Sequence, residues 1–536
     1  MRRIDRILYN GKIVTLNSAQ PHASALAIAA GRIIALGDDA AIRSLADADT
    51  VVENVGGRQI LPGLTDAHIH FELTAQSLHE VDVFEVPDKQ TAVERVGKHV
   101  QGIPAGQWVT GHGWFQDLWQ GSSFPTAGDI DAVAPHHAIF LTAKSKHAAW
   151  VNSLALQLAG IDRTTPDPEG GQIVRDAQGN PTGMLLETAI GLVSRHIPVL
   201  TLEQRADQFE VMQARALAFG LTGVHDFDEP SALRAFQMMR ERGTLGLRVV
   251  KQVNKQWINA ALDTGLRTGF GDDWIRIGGL KLFADGALGP HTAAMIEPYD
   301  GEPTNFGIIT LEKEEMIELI SRASANGLPS TVHAIGDRAV HDVLDAFEVV
   351  RREEQERGEH ASIRRHRIEH VQVIHPADIP RLAELNIIAS MQPIHATSDM
   401  QSADRYWGAR ARWSYNPRVQ LDQGVVVALG SDAPVEPFDP LTGIHAAVTR
   451  QRADGAPGES GWYPDARLTV DEAVRGYTIG PAYAAGMEDR LGRLAPGYLA
   501  DLIVLDRDIY TIQPSAILEA RVEATMVGGE WRYGGV

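Results

Sequence analysis

The amino-acid sequence predicts an α/β fold: a parallel (β/α)8 barrel with a small β-sandwich assembled from both chain ends. Three observations predict it. Short apolar runs alternate with helical patterns through the middle of the chain, as repeated βαβ units do. Eight such runs can be counted, and eight βα repeats make a TIM barrel. The two ends read as strands and turns, and neither is long enough to bury a comfortable core alone.

Taken in order, the first 60 residues contain "RILY-NG-KIVTL", which reads as a hairpin on Asn10-Gly11, and "LAIAA-GR-IIALG", a second hairpin. The last 50 residues give "ADLIVLD" and then "EATMV-GG-EWRY". Chain termini often lie close together, so residues 1–60 and 487–536 are expected to form one composite β-sandwich domain around a barrel of 61–486. Barrel strands are expected at "QILPGLTDAHIH", "GLTGVHDF", "LRVVKQV", "IRIGGLKLFADG", "LPSTVHAIGD", "RHRIEH", "NIIASMQP" and "VVVALGSDAP". Val340, Val343, Leu344, Phe347 and Val350 recur at helical spacing within 337–358, while Thr469 and Glu472 form a capping box.

Residues 72–220 interrupt the repeat and are too long for a loop, so an inserted subdomain is expected there. Trp108, Trp114, Phe115, Trp119 and Phe124 cluster near its start. These rings either form its core or line a substrate pocket beside the barrel mouth, with Trp114 the foremost candidate contact.

Charge and composition narrow the function. Lys+Arg 49 against Asp+Glu 69 leaves −20, the wrong sign for nucleic acid or an anionic membrane surface. No run approaches the ~18 apolar residues of a membrane helix. The absence of cysteine excludes disulfides, thiolate metal sites and a cysteine nucleophile. "MRRIDRILYNGKIVTL" lacks the apolar core of a signal peptide, so the cytoplasm is the expected location. A small-molecule substrate and a homo-oligomer, a dimer by default, are the expected partners.

The chemistry begins at "GGLKLFADG". Lys281, Phe283 and Asp285 alternate on one face of a strand whose other face, Leu280, Leu282 and Ala284, suits a buried layer. A lysine there either snorkels to solvent or has a task inside. "TDAHIH" sets His68 and His70 on one side of a strand, within reach of one metal ion. His333, His370 and Asp432 close or follow three further strands, and a barrel gathers all those ends on its chemically active face. Imidazole and carboxylate donors together favour a divalent metal, Zn²⁺ first, with Mn, Fe, Co or Ni also fitting.

"LPGLTDAHIH", "KLFADGALG", "HAIGD", "RIEH", "GSDAPVEPFDP" and "LAPGYLADLIVLD" resemble the amidohydrolase superfamily. "HAAWVNSLAL" and "GALGPHTAAM" resemble its amidohydrolase family 3 branch, which includes N-substituted formamide deformylases. The resemblance spans essentially the whole chain. It implies two divalent metal ions, one on His68, His70 and Asp432, the other on His333 and His370. It further implies that Lys281 reacts with CO₂ to give a carbamate shared by both. A bridging hydroxide would then attack a C–N amide-type bond, N-acyl or N-formyl, with Asp432 as general base and then acid.

Weaker candidates for substrate contact are His225, His291, His395 and Asp285, each with a structural alternative. His147, Trp150 and Asn152 match a branch motif whose chemistry spacing does not reveal. Esters, lactones or phosphotriesters would suit the same metals. A ring deaminase fits less well, because "HAIGDRAV" offers no glutamate after His333. A non-catalytic scaffold of this fold would be expected to have lost ligands, and none of the six positions is lost. Gly-X-Ser-X-Gly, HExxH and P-loop motifs are absent.

Overall fold

Gly63 divides what reads in sequence as one long strand. The computed structural model describes residues 3–84, 86–114, 116, 119–120, 123–143, 148–289 and 291–536. In it "QILPGLTDAHIH" becomes two strands, Gln59–Pro62 and Leu64–Ile69, in different sheets. A Cβ at Gly63 would lie 2.3 Å from the Thr222 hydroxyl oxygen, so only glycine lets the chain pass so close.

Leu64–Ile69 is β1 of the barrel. It is followed by β2 (Leu221–Asp226), β3 (Arg248–Asn254), β4 (Ile275–Phe283), β5 (Ser330–Ala334), β6 (Arg367–His370), β7 (Ile388–Met391) and β8 (Val427–Leu429). They form one eight-stranded sheet in chain order, every neighbouring pair parallel. The ring comes nearly to closure just past β8. There the Asp432 amide donates to the His68 carbonyl at 2.7 Å and the His70 amide to that of Ala433 at 2.9 Å. Helix Asp337–Glu356 buries Val340, Val343, Leu344, Phe347 and Val350, the face its spacing predicts. The Thr469–Glu472 capping box is formed, with the Glu472 carboxylate accepting from the Thr469 amide at 2.7 Å.

Strands from both ends share a six-stranded sheet, ordered Glu530–Gly534, Val522–Val527, Leu502–Leu505, Gln59–Pro62, Lys12–Val14, His22–Ala23. A four-stranded sheet holds Arg32–Gly37, Ala25–Ala29, Arg6–Tyr9 and Val51–Asn54. The hairpins at 25–37 and 522–534 pair as their turns predict. That expected at Asn10-Gly11 does not form. Arg6–Tyr9 pairs with Ala25–Ala29 and Val51–Asn54, and the turn carries the chain into the other sheet.

The chain divides into two compact units, 1–73 with 206–536, and 74–205. The second unit is built on a six-stranded mixed sheet running from Gly171–Arg175 to Val81–Asp82. Residues 206–220 of the expected 72–220 insertion fall with the barrel. The helix Leu202–Ala218 packs Phe209 against Phe71 and Phe236, ring centroids 5.0 and 4.8 Å away. Among the described residues no helix is long and apolar enough to cross a membrane.

Candidate metal centre

Lys281, His68, His70, His333, His370 and Asp432 stand at the carboxyl ends of five barrel strands. Asp432 is the hub. Its Oδ1 lies 3.4 Å from His68 Nε2 and 3.6 Å from His70 Nε2, and its Oδ2 lies 3.5 Å from His395 Nε2. His68, His70 and Asp432 form one set with donor atoms within 4.8 Å of one another; His370, His395 and Asp432 form another. His395, expected only as a weak substrate contact, thus enters the second set, where the resemblance places His333. His333 stands beside His370, ring centroids 4.6 Å apart.

Four of the imidazoles are held by acceptors. His68 Nδ1 meets the Glu369 carboxylate at 2.6 Å, His70 Nδ1 meets Asp228 at 3.1 Å, and His370 Nδ1 meets Gln392 Oε1 at 2.8 Å. His333 is reversed, its Nε2 lying 2.9 Å from the Gly286 carbonyl. An acceptor at one ring nitrogen puts the proton there and keeps the lone pair on the other. Glu369 is itself clamped by Arg367, which also reaches His225 Nδ1, the Ala67 carbonyl and Ser390.

Burial pushes the His68 imidazole down to about 4, that of His333 to about 3 and that of His370 well below its ordinary value. Neutral imidazole is the form that ligates a metal. Burial would raise Asp432, but His68, His395 and His370 around it outweigh that and hold it well below the carboxylate range. His395 runs the other way: burial would lower it, yet Asp432, Glu436 and Asp399 lift it to about 9.

Lys281 is 2% exposed, and its Nζ makes no hydrogen bond. It lies 4.7 Å from the Phe227 ring centroid and 4.5 Å from that of Phe283. Burial lowers it to about 8, against the pull of Glu369 and Asp432. A buried amine with no hydrogen-bond partner, among imidazoles and an ionised carboxylate, fits a divalent-metal site.

His370 and Asp432 both have left-handed backbones, φ +77° and +62°. Such strain in non-glycine residues persists where the surroundings enforce it, often at functional sites. At β6 it has a local consequence. Glu369 and His370 are sequence neighbours, yet both side chains reach His68, by the hydrogen bond at 2.6 Å and by a ring-centroid distance of 4.9 Å.

The remaining candidates are placed differently. Asp285 accepts from the amides of Ala294, Ile335 and Gly336 at 2.8–3.0 Å, with both oxygens engaged, so it braces the loops after β4 and β5. His291 is paired with Glu302 at 2.7 Å and lies against Tyr406. His225 is buried inside the barrel beside Arg367. Trp114 is fully buried in the second unit's core, its indole donating to the Leu141 carbonyl at 2.9 Å. That is a correction: a ring closed off on every side lines no pocket. Asn152 caps helix Ser153–Leu158, and Phe115 and His147 lie outside the described residues. Glu369, Asp228 and Gln392, missed in sequence, are the tethers. Only Glu369 left a trace there, next to His370 in "RIEH".

This chain belongs to the amidohydrolase family, whose model matches residues 51–533. It is 32% identical to the N-substituted formamide deformylase of Arthrobacter pascens, over 99% of this chain and 98% of that one. It is 33% identical to Protein LONG AFTER FAR-RED 3 of Arabidopsis thaliana, over 99% of this chain and 91% of the relative. A solved metal-dependent hydrolase from Pyrococcus furiosus matches with TM-score 0.77 and 30% identity, covering 94% of this chain and all of that one. The protein is a metal-dependent hydrolase on a barrel fold.

Proposed function

We propose that this enzyme hydrolyses a C–N amide-type bond in a small N-acyl or N-formyl substrate. The observation that carries the proposal is the shared carboxylate of Asp432, facing His68 and His70 on one oxygen and His395 on the other. In this reading His68, His70 and Asp432 would hold one divalent ion and His370 with His333 the other, and Lys281, as its carbamate, would add an anionic oxygen donor. His395 is a competing ligand for the second position, favoured by its place in the second donor set. Zn²⁺ is the proposed metal, from the imidazole and carboxylate donors. Bound there, the ions would supply Lewis acidity to the substrate carbonyl and ease deprotonation of water.

The chain's own groups do the rest. The neutral Lys281 amine adds to CO₂ and gives up a proton, forming an anionic oxygen donor where an ammonium would be repelled. Asp432, held ionised, accepts the proton of the attacking water as the C–O bond forms, and returns it to the nitrogen as the C–N bond breaks. Where His333 holds the second ion, His395 is left beside Asp432 to donate a hydrogen bond to the developing oxyanion. The relative from Arthrobacter, named as a formamide deformylase, supports amide hydrolysis as the reaction.

The test is a panel of N-formyl and N-acyl amides, with matched esters and lactones, assayed before and after chelation. Amide cleavage that is lost on chelation and restored by divalent metal is the expected result. Ester or lactone cleavage alone would replace the amide assignment.

A further inference from the structure

Phe283 is the last residue of β4 and 48% exposed, a large apolar side chain left half in solvent. It is no ordinary surface phenylalanine. Its ring centroid lies 4.5 Å from Lys281 Nζ and 5.2 Å from that of His333, its register partner on β5. Alternation along β4 explains the contact, since residues two apart share a face. The ring therefore covers two candidate ligands with one side and offers the other to solvent.

The surroundings extend the apolar surface. Residues 306–310 return alongside the segment after β4. The Thr310 amide donates to the Ala284 carbonyl at 2.9 Å, its hydroxyl to the Phe283 carbonyl at 2.9 Å, and Ile309 bridges to Asp285. That returning segment carries two more exposed apolar residues, Ile308 and Ile309. Past β8, Val435 is 65% exposed, its amide bonded to the Asp432 carbonyl at 3.0 Å. An exposed aromatic ring against candidate ligands at a reactive mouth marks a ligand surface, because solvent alone gives no reason to keep it there.

We infer that Phe283 is the specificity-determining wall of this site, and that the preferred substrates are amides with an uncharged aryl group near the scissile bond. This rests on the amide-hydrolase reading and names its substrate class. An amide bound over Lys281 must lay one flank along Phe283. An aryl flank gains offset or edge contact with the ring, whereas a carboxylate there would lose water and find no partner on a phenyl group.

The experiment uses the metal-loaded enzyme and two matched pairs, phenylacetamide with acetamide and N-formylphenethylamine with N-formylethylamine. Phenylacetate and acetate binding is measured alongside by calorimetry. For wild type, kcat/KM should favour the aryl member of at least one pair. Phe283→Ala should cut that preference by about tenfold or more, the scale of a lost apolar contact. Phe283→Leu should cut it less, and phenylacetate affinity should fall in step. An unchanged preference in Phe283→Ala or Phe283→Leu with wild-type Tm would overturn the inference. So would a wild type that prefers the small members. If wild type cleaves none of the four, the amide reading falls instead. Calorimetry still decides Phe283: a phenylacetate preference lost in Phe283→Ala keeps the wall, and equal affinities for the two acids remove it.

Discussion

Two buried clusters in this chain drew attention in sequence, and they treat their polar atoms in opposite ways. In the second unit Trp114, Trp119 and Trp150 are buried, and each indole N–H has an acceptor, the carbonyls of Leu141, Val86 and Thr126 at 2.8–3.2 Å. At the barrel mouth Lys281 is as deeply buried, and its Nζ has none. Folding alone selects the first arrangement, because an unmet buried polar group costs about 1–3 kcal/mol. The second persists only if something else requires it. The contrast teaches that aromatic clusters with satisfied donors are packing, while an orphaned amine among imidazoles marks chemistry.

The largest expected effect is at Lys281. Lys281→Ala should lower kcat/KM by about 10³-fold or more, equivalent to several kcal/mol of metal-derived stabilisation, and reduce bound metal, read by elemental analysis. Wild-type rate and metal content would erase the contrast. Next comes its counterpart in the second unit. Trp114→Ala should cost about 3–5 kcal/mol in denaturant unfolding and leave KM unchanged, as loss of a core ring does. A shift in KM with full stability would return Trp114 to the pocket.

Asp432→Asn should follow, with turnover down by roughly 10²-fold, the scale of general-base loss, and with metal retained through the amide oxygen. Near-normal turnover would leave Asp432 a ligand only. The smallest effect is expected at Asp228, which holds His70 from outside. Asp228→Ala should weaken metal affinity about 10–100-fold in competition with a chelator, as lost outer partners do. Wild-type affinity would show that His70 needs no tether.

Much of this was legible before the structure. Eight strands with helices between them predicted the barrel, and the two-residue spacing of His68 and His70 predicted a common side for both imidazoles. What was not legible is non-local. Glu369 reaches His68 across 301 residues of sequence, and Asp228 reaches His70 across 158. Period-two alternation also cannot foresee left-handed backbones at His370 and Asp432, which re-aim side chains that a regular strand would direct elsewhere. Asn10-Gly11 carried a strong hairpin signal, yet the flanking strands found better partners elsewhere, and strand pairing is decided by such partners. Trp114 was ambiguous for another reason. Sequence tells how large a ring is, not whether its donor is met.

The central claim is that the barrel mouth works through divalent metal held by these side chains. The direct measurement is amide hydrolysis by protein stripped of metal to the detection limit, then titrated with Zn²⁺ in the presence and absence of bicarbonate. The account predicts no turnover in stripped protein, recovery that saturates at two ions per chain, and faster recovery with bicarbonate, which supplies the Lys281 carboxyl group. Full turnover in the stripped protein would contradict it.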